Sequence, residues 1–170
     1  APRNQNNVGV LNTDDNTFDT IPISVTGNYK YDGAAALGTK IYFAPCYQPN
    51  VGVLETVDNS FFTIATPGIS GTAVYRDPVA VGTKVYFPPN GGTNVGVVDT
   101  TDNSWSTIGS FGSQDYGSAV AIGTKIYLAP ANAENVGVVN TEDDSWSTIG
   151  IPWETPQNGK FDGAFAVGTA

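Results

Sequence analysis

The tetrapeptide Asn-Val-Gly-Val stands at Asn7, Asn50, Asn94 and Asn135, at intervals of 43, 44 and 41 residues. A fixed period of this length restricts a chain to repeated copies of one supersecondary unit, because no copy can bury its apolar face alone. Each copy continues into an acidic turn and an aromatic segment: NTDDNTFDTI from Asn12, ETVDNSFFTI from Glu55, DTTDNSWSTI from Asp99 and NTEDDSWSTI from Asn140. After a variable loop comes a small-residue segment ending in Gly-Thr: GAAALGT from Gly33, DPVAVGT from Asp77, SAVAIGT from Ser118 and GAFAVGT from Gly163. In three copies an apolar run follows, GTKIYFAP from Gly38, GTKVYFPP from Gly82 and GTKIYLAP from Gly123. The repeats occupy residues 7–49, 50–93, 94–134 and 135–170 of a single domain, 1–170.

The side chains lean towards Val, Ile, Thr and aromatics, which suit a pleated surface, and 20 Gly and 11 Pro supply frequent turns. No long window has helical spacing, so the class is all-β. Four short strands in about 40 to 50 residues is the pattern of a β-propeller blade. The Ala- and Val-rich segment fits the crowded innermost strand. The Lys-Ile-Tyr-Phe run fits a second strand covered on both faces. Asn-Val-Gly-Val is the third, with a Gly where a neighbour can approach closely. Ser-Trp-Ser-Thr-Ile alternates as an outer strand with one wet face should. Its aromatic position (Phe18, Phe61, Trp105, Trp146) is expected to wedge between blades.

The full chain resembles Kelch-type repeats. The matching residues are the small inner strand, the Gly-x-Lys-Ile-Tyr step (Gly38, Lys40, Ile41, Tyr42 and equivalents), the Val-x-Thr strand with its Asp-Asn turn, and the Trp of Asn-Ser-Trp. Where the Kelch pattern has Gly-Gly after the second strand, this chain has Ala44-Pro45, Pro88-Pro89 and Ala129-Pro130, so the likeness is Kelch-like. It implies a propeller scaffold, and such a scaffold supports many functions.

Counting strands predicts a four-bladed propeller of four-stranded antiparallel blades, with the end blade shared by the two termini. Residues 8–21 give its third and fourth strands and residues 163–167 its innermost one, which leaves the second strand missing. Buried polar groups left unpaired along such a gap cost roughly 1–3 kcal/mol each. Three readings stay open: the strand belongs to a longer chain, a neighbouring copy donates it, or the ring is open or differently bladed. Donation implies head-to-tail assembly with copies of itself.

The net charge of −9, from seven basic and sixteen acidic residues, disfavours nucleic acid as a partner. No apolar run reaches the roughly 18 residues of a spanning helix, so no membrane insertion is expected. The absence of Met fits a mature, secreted, extracellular chain. Without histidine, and with Cys46 the single cysteine, His-based triads, Cys–His catalysis and thiolate zinc sites are excluded. The recurring Asp residues of the acidic turns read as turn chemistry. The expectation is a non-enzymatic structural or assembly module with no cofactor, no metal and no catalytic residue.

Seven positions before the Gly of each Gly-Thr stand Tyr31, Tyr75, Tyr116 and Phe161, flanked by charges such as Asp32, Arg76 and Asp162. These aromatics are expected to ring the mouth of the central channel. An aromatic face covers the C–H groups of a sugar while carboxylates meet its hydroxyls, so a lectin-like, glycan-binding propeller is the alternative function.

Overall fold

The computed structural model describes residues 1–69, 74–112, 114–152 and 159–167, and among these there is no helix. Four antiparallel sheets follow one another along the chain. Sheet 1 holds β1 (Asn7–Asn12) and β2 (Thr17–Pro22). Sheet 2 holds β3 (Tyr31–Leu37), β4 (Lys40–Pro45), β5 (Asn50–Glu55) and β6 (Phe61–Ala65). Sheet 3 holds β7 (Val79–Val81), β8 (Lys84–Phe87), β9 (Val95–Asp99) and β10 (Ser104–Ile108). Sheet 4 holds β11 (Tyr116–Ile122), β12 (Lys125–Pro130), β13 (Asn135–Asn140) and β14 (Ser145–Gly150). These are the blades expected from the repeat, 2, 4, 4 and 4 strands in order.

Two turns shape each blade. The Gly of Gly-Thr takes a positive φ (60° at Gly38, 58° at Gly82 and Gly123) at the first position of a two-residue hairpin, as that turn requires. The next carbonyl is clamped from the acidic turn, since Thr39 O accepts both the N–H and the Oγ1–H of Thr56, each at 2.8 Å. Thr83 with Thr100 and Thr124 with Thr141 repeat the clamp. In the acidic turn, Asp15, Asp58, Asp102 and Asp143 each accept the backbone N–H two residues ahead. The next residue, Asn16, Asn59, Asn103 or Asp144, holds φ of 54–58°. The carboxylates close hairpins here, as turn chemistry predicts.

Alternation along the strands gives each sheet two apolar faces. The rear face, turned to the preceding sheet, carries the outer aromatic; the front face, turned to the following sheet, carries the second-strand Tyr and the outer Ile. Ile23, Val8 and Ile21 of the first unit pack on Tyr31, Phe43, Leu54 and Phe61 of sheet 2. Tyr42, Val53 and Ile64 of sheet 2 meet Tyr75, Val85, Phe87 and Trp105 of sheet 3. Tyr86, Val97 and Ile108 of sheet 3 meet Tyr116, Ile126, Leu128 and Trp146 of sheet 4. One interface is thus built three times from equivalent residues. The outer aromatic lies flat over the third-strand Gly, with the Trp105 ring against Gly96 and Trp146 against Gly137.

At the ends the pattern stops. Among the described residues β1 pairs only with β2, and residues 163–167, expected as the innermost strand of the shared blade, lie outside any strand. Among the described residues no second-strand segment stands beside them to supply ladder partners. The chain nevertheless enters that position: the Asp162 backbone lies against Gly117 as Asp77 lies against Gly33 two blades earlier. Lys160 N donates to Ala131 O (2.8 Å) just as Lys30 N donates to Arg3 O (2.9 Å) at the first junction. Gly168 and Thr169 fall outside the described residues.

A Cβ at position 96 would overlap the Trp105 ring, whereas one at Gly150 would meet nothing within 4 Å. Gly96→Ala is therefore expected to cost about 1–3 kcal/mol in urea unfolding. Gly150→Ala should change stability by less than about 0.5 kcal/mol.

Candidate functional site

The four aromatics expected at an open mouth are placed differently. Tyr31, Tyr75 and Tyr116 have no exposed surface. Tyr31 and Tyr116 start innermost strands, Tyr75 pairs with Pro89 ahead of β7, and each turns inward across its own blade. Its hydroxyl donates to the first Asn of the third strand: Tyr31 to Asn50 (2.6 Å), Tyr75 to Asn94 (2.5 Å) and Tyr116 to Asn135 (2.7 Å). The rings pack against the outer aromatic, with Tyr75 edge-on to Trp105 at 5.7 Å and Tyr116 to Trp146 at 6.0 Å. These tyrosines are core residues with a satisfied polar tip. Their faces are not open to a sugar, which corrects the expected ring of accessible aromatics. Phe161 has no hydroxyl to anchor and is exposed.

The flanking charges do not converge either. Asp32 faces Arg3 at 3.8 Å, a loose and partly exposed pair. Arg76 is half-buried, with Nε finding no partner among the described residues. Asp162 is exposed beside Gly117. Burial pushes the Asp77 carboxyl above its ordinary range, helped by the Asp32 charge. Lys30 is enclosed, its ammonium donating to Gly27 O (2.7 Å) and Asn6 Oδ1 (3.2 Å), and burial lowers its pKa. Among the described residues no three Asp, Glu or Cys side chains gather as a metal site, and Cys46 is buried without a disulfide. A polar cleft of about 470 Å³ opens beside Asp115, Asn132 and Glu134, where Asn132 Nδ2 donates to Asp115.

What the sequence reading did not single out is the exposure of sheet 1. Leu11 is 61% and Phe18 70% exposed, whereas Leu54 and Val98, the equivalents of Leu11, are at most 1% exposed. Both lie on the rear face, where no preceding sheet covers them. The β1 edge adds backbone groups with no strand beside them among the described residues, the row that β4, β8 and β12 occupy in complete blades. At the other end the front face of sheet 4 is open: Ile149 is 51% exposed, against 7% for its equivalents Ile64 and Ile108, and Ile122 is exposed too. A propeller-bound sheet has two apolar faces by construction. The signal was the repeat itself, which implies a neighbour on each side of every sheet.

No protein-family model and no characterised protein matches this chain. Solved structures do. A virginiamycin B lyase from Staphylococcus aureus superposes with a TM-score of 0.74 at 13% identity, over 88% of this chain and 50% of that one. A streptogramin B lyase gives 0.71 at 17% identity, over 89% and 50%. A nidogen/laminin complex gives 0.63 at 8% identity, over 86% and 56%. The chain spans about half the length of these structures. At such identities the likeness establishes the fold: an all-β propeller-type protein of four antiparallel blades.

Burial drives the pKa of Tyr31 and Tyr75 well above the usual 10.0 and that of Tyr116 up to about 12. A folded-state value above the unfolded one stabilises the fold below the ordinary tyrosine pKa, and that contribution is lost as pH rises through the folded values. The melting temperature should therefore fall as pH climbs past ten, with phenolate absorbance of these residues appearing together with loss of the β signal. Ionisation of all tyrosines in the folded state near their ordinary pKa would contradict this burial.

Proposed function

We propose that this chain is a non-enzymatic, Kelch-like interaction propeller that works by accepting a β-strand at the open edge of β1. The observation that carries the reading is that among the described residues β1 is paired on one side only while its apolar side chains, Val10 and Leu11, stand exposed. Strand addition at such an edge gains main-chain hydrogen bonds for affinity and alternate side-chain pockets for specificity. Isolated exposed edges are otherwise a liability that folds cover or blunt with charge. Here β1 reads Asn-Val-Gly-Val-Leu-Asn, without a charge or a Pro.

The complete blades define what fits. In sheet 2 the second strand pairs Lys40 with Glu55, Ile41 with Leu54, Tyr42 with Val53 and Phe43 with Gly52. The same register on β1 sets Lys, Ile, Tyr and Phe against Asn12, Leu11, Val10 and Gly9. Ile then joins Leu11 on one face and Tyr joins Val10 on the other. The absence of histidine removes the commonest acid–base group, which supports a binding rather than a catalytic role. The lyases among the similar structures bear on fold alone, and the acidic, Met-free composition supports an extracellular setting.

A peptide with the sequence of residues 33–45, GAAALGTKIYFAP, tests the edge directly. It should bind the protein saturably in calorimetry, raise the melting temperature, and shift NMR signals of β1 above all others. The same peptide with Lys in place of its Tyr should not bind. Absence of saturable binding, or equal binding by both peptides, overturns the strand-acceptor reading.

A further inference from the structure

We propose that the polar cleft between the loops of sheets 3 and 4 binds a primary ammonium group, held by Asp115 and Glu134. The proposal goes beyond the strand-acceptor reading and uses no residue of sheet 1 or of its open edge.

The cleft has a volume of about 470 Å³. Its walls carry two carboxylates, Asp115 and Glu134, the amides of Gln114, Asn132 and Asn135, and no basic side chain. All of them lie inside the run of complete blades, with a four-stranded sheet on both sides of the junction.

Asp115 is fixed where it stands. Its carbonyl accepts the backbone N–H groups of Ala131, Asn132 and Ala133 at 3.0, 3.0 and 3.2 Å. Its Oδ2 accepts Asn132 Nδ2, and Asn132 Oδ1 in turn accepts Gly159 N at 2.8 Å, which sets the orientation of that amide. Asn135 is committed as well, since its Oδ1 accepts the Tyr116 hydroxyl at 2.7 Å. One atom is left over. Asp115 Oδ1 is enclosed and has no hydrogen-bond donor among the described residues. A buried polar atom without a partner is uncommon in a folded protein and calls for one from outside the chain.

The balance of donors and acceptors identifies that partner. The cleft offers Asp115 Oδ1 and the exposed Glu134 carboxylate, both acceptors with negative charge. A hydroxyl brings an acceptor with each donor, and an anion brings acceptors alone. An ammonium brings three donors and no acceptor. A guanidinium fork needs both oxygens of one carboxylate, and at Asp115 one of them is already taken by Asn132. The net charge of −9 also draws cations towards the chain. One ammonium already settles at the rim, where Lys160 Nζ lies 3.4 Å from Asn132 O.

The cleft is a feature of these residues and not of the blade. Tyr31 pairs with Pro45 at the head of sheet 2 as Tyr116 pairs with Pro130 at the head of sheet 4. Counting from these pairs, Tyr29, Lys30 and Tyr47 stand where Gln114, Asp115 and Asn132 stand. There the two ring centroids lie 5.3 Å apart, and the charge is that of a lysine already bonded to Gly27 O and Asn6 Oδ1. The first junction fills the position with its own side chains. The third leaves it rich in acceptors.

Titration of the 170-residue chain at low ionic strength, followed by heteronuclear NMR, tests the site. Spermidine serves as the free-amine probe and the peptide acetyl-Gly-Lys-Gly-amide as the lysine side-chain probe. At least one should bind saturably with its largest shifts at Gln114, Asp115 and Glu134, and the tighter of the two identifies the source. Asp115→Asn should weaken binding about tenfold or more, as loss of a hydrogen bond to a charged group does. Glu134→Gln, at an exposed side chain, should weaken it about two- to fivefold, and it remains informative where Asp115→Asn folds poorly. Glu142→Gln removes the same charge from the exposed acidic turn of sheet 4 and should leave binding unchanged. Failure of both probes to bind, or equal weakening by Asp115→Asn and Glu142→Gln, overturns the site. Calcium alone producing the same shifts at lower concentration than either amine overturns the ammonium assignment. None of these results depends on binding of the strand peptide, so the two readings fail separately.

Discussion

A sheet in this molecule has two apolar faces, and neither is covered by its own blade. That constraint organises the rest. Each rear face is built from an aromatic ring laid over a third-strand glycine, flanked by Val or Leu and by an Ile or Val of the second strand. Each front face offers a Tyr, a pair of Val residues and an outer Ile. Burying a side chain of this size is worth about 1.5–3 kcal/mol, so an uncovered face forfeits several such contributions at once. The interior junctions are therefore cohesive, and the two end faces are the places where the molecule has most to gain from contact.

Polar groups are arranged so that this stacking carries few penalties. The three interior tyrosines end on an Asn of the same blade, which lets a hydroxyl enter the core with a partner. The threonine clamps and aspartate turns satisfy hairpin backbone at the rim. At Lys84 and Asp144 a close charged pair crosses the junction of sheets 3 and 4. Because it is partly exposed, its net worth is small, about 0–1 kcal/mol, and its effect is on register more than on stability.

Most of the fold was legible because the repeat is nearly uniform. Gly-Thr fixed the first hairpin, the Asp-Asn turn the last, and the Ala/Val, Lys-Ile-Tyr-Phe and Asn-Val-Gly-Val runs each became the strand their composition favours. Two things were not legible. The first was the direction of Tyr31, Tyr75 and Tyr116. A residue at the start of an inner strand can face the axis or its own blade, and the choice depends on Asn50, Asn94 and Asn135, nineteen residues away in chain but adjacent across the sheet. The second was the state of residues 163–167. Their sequence has the inner-strand pattern, but a strand exists only where a ladder partner stands beside it, and local composition carries no information on that. The candidate surface itself, Leu11 and Phe18, looks in sequence like Leu54 and Phe61; only the absence of a preceding sheet makes it a site.

Hydrogen exchange by NMR tests the central claim most directly, since it reads whether equivalent third strands are covered alike. Among the described residues β5, β9 and β13 are paired on both sides, whereas β1 is paired on one side. The account predicts that β1 amides turned away from β2 exchange orders of magnitude faster than those at the same positions of β5, β9 and β13. Equal protection of all four strands would mean that the first sheet is already complete, and would contradict it.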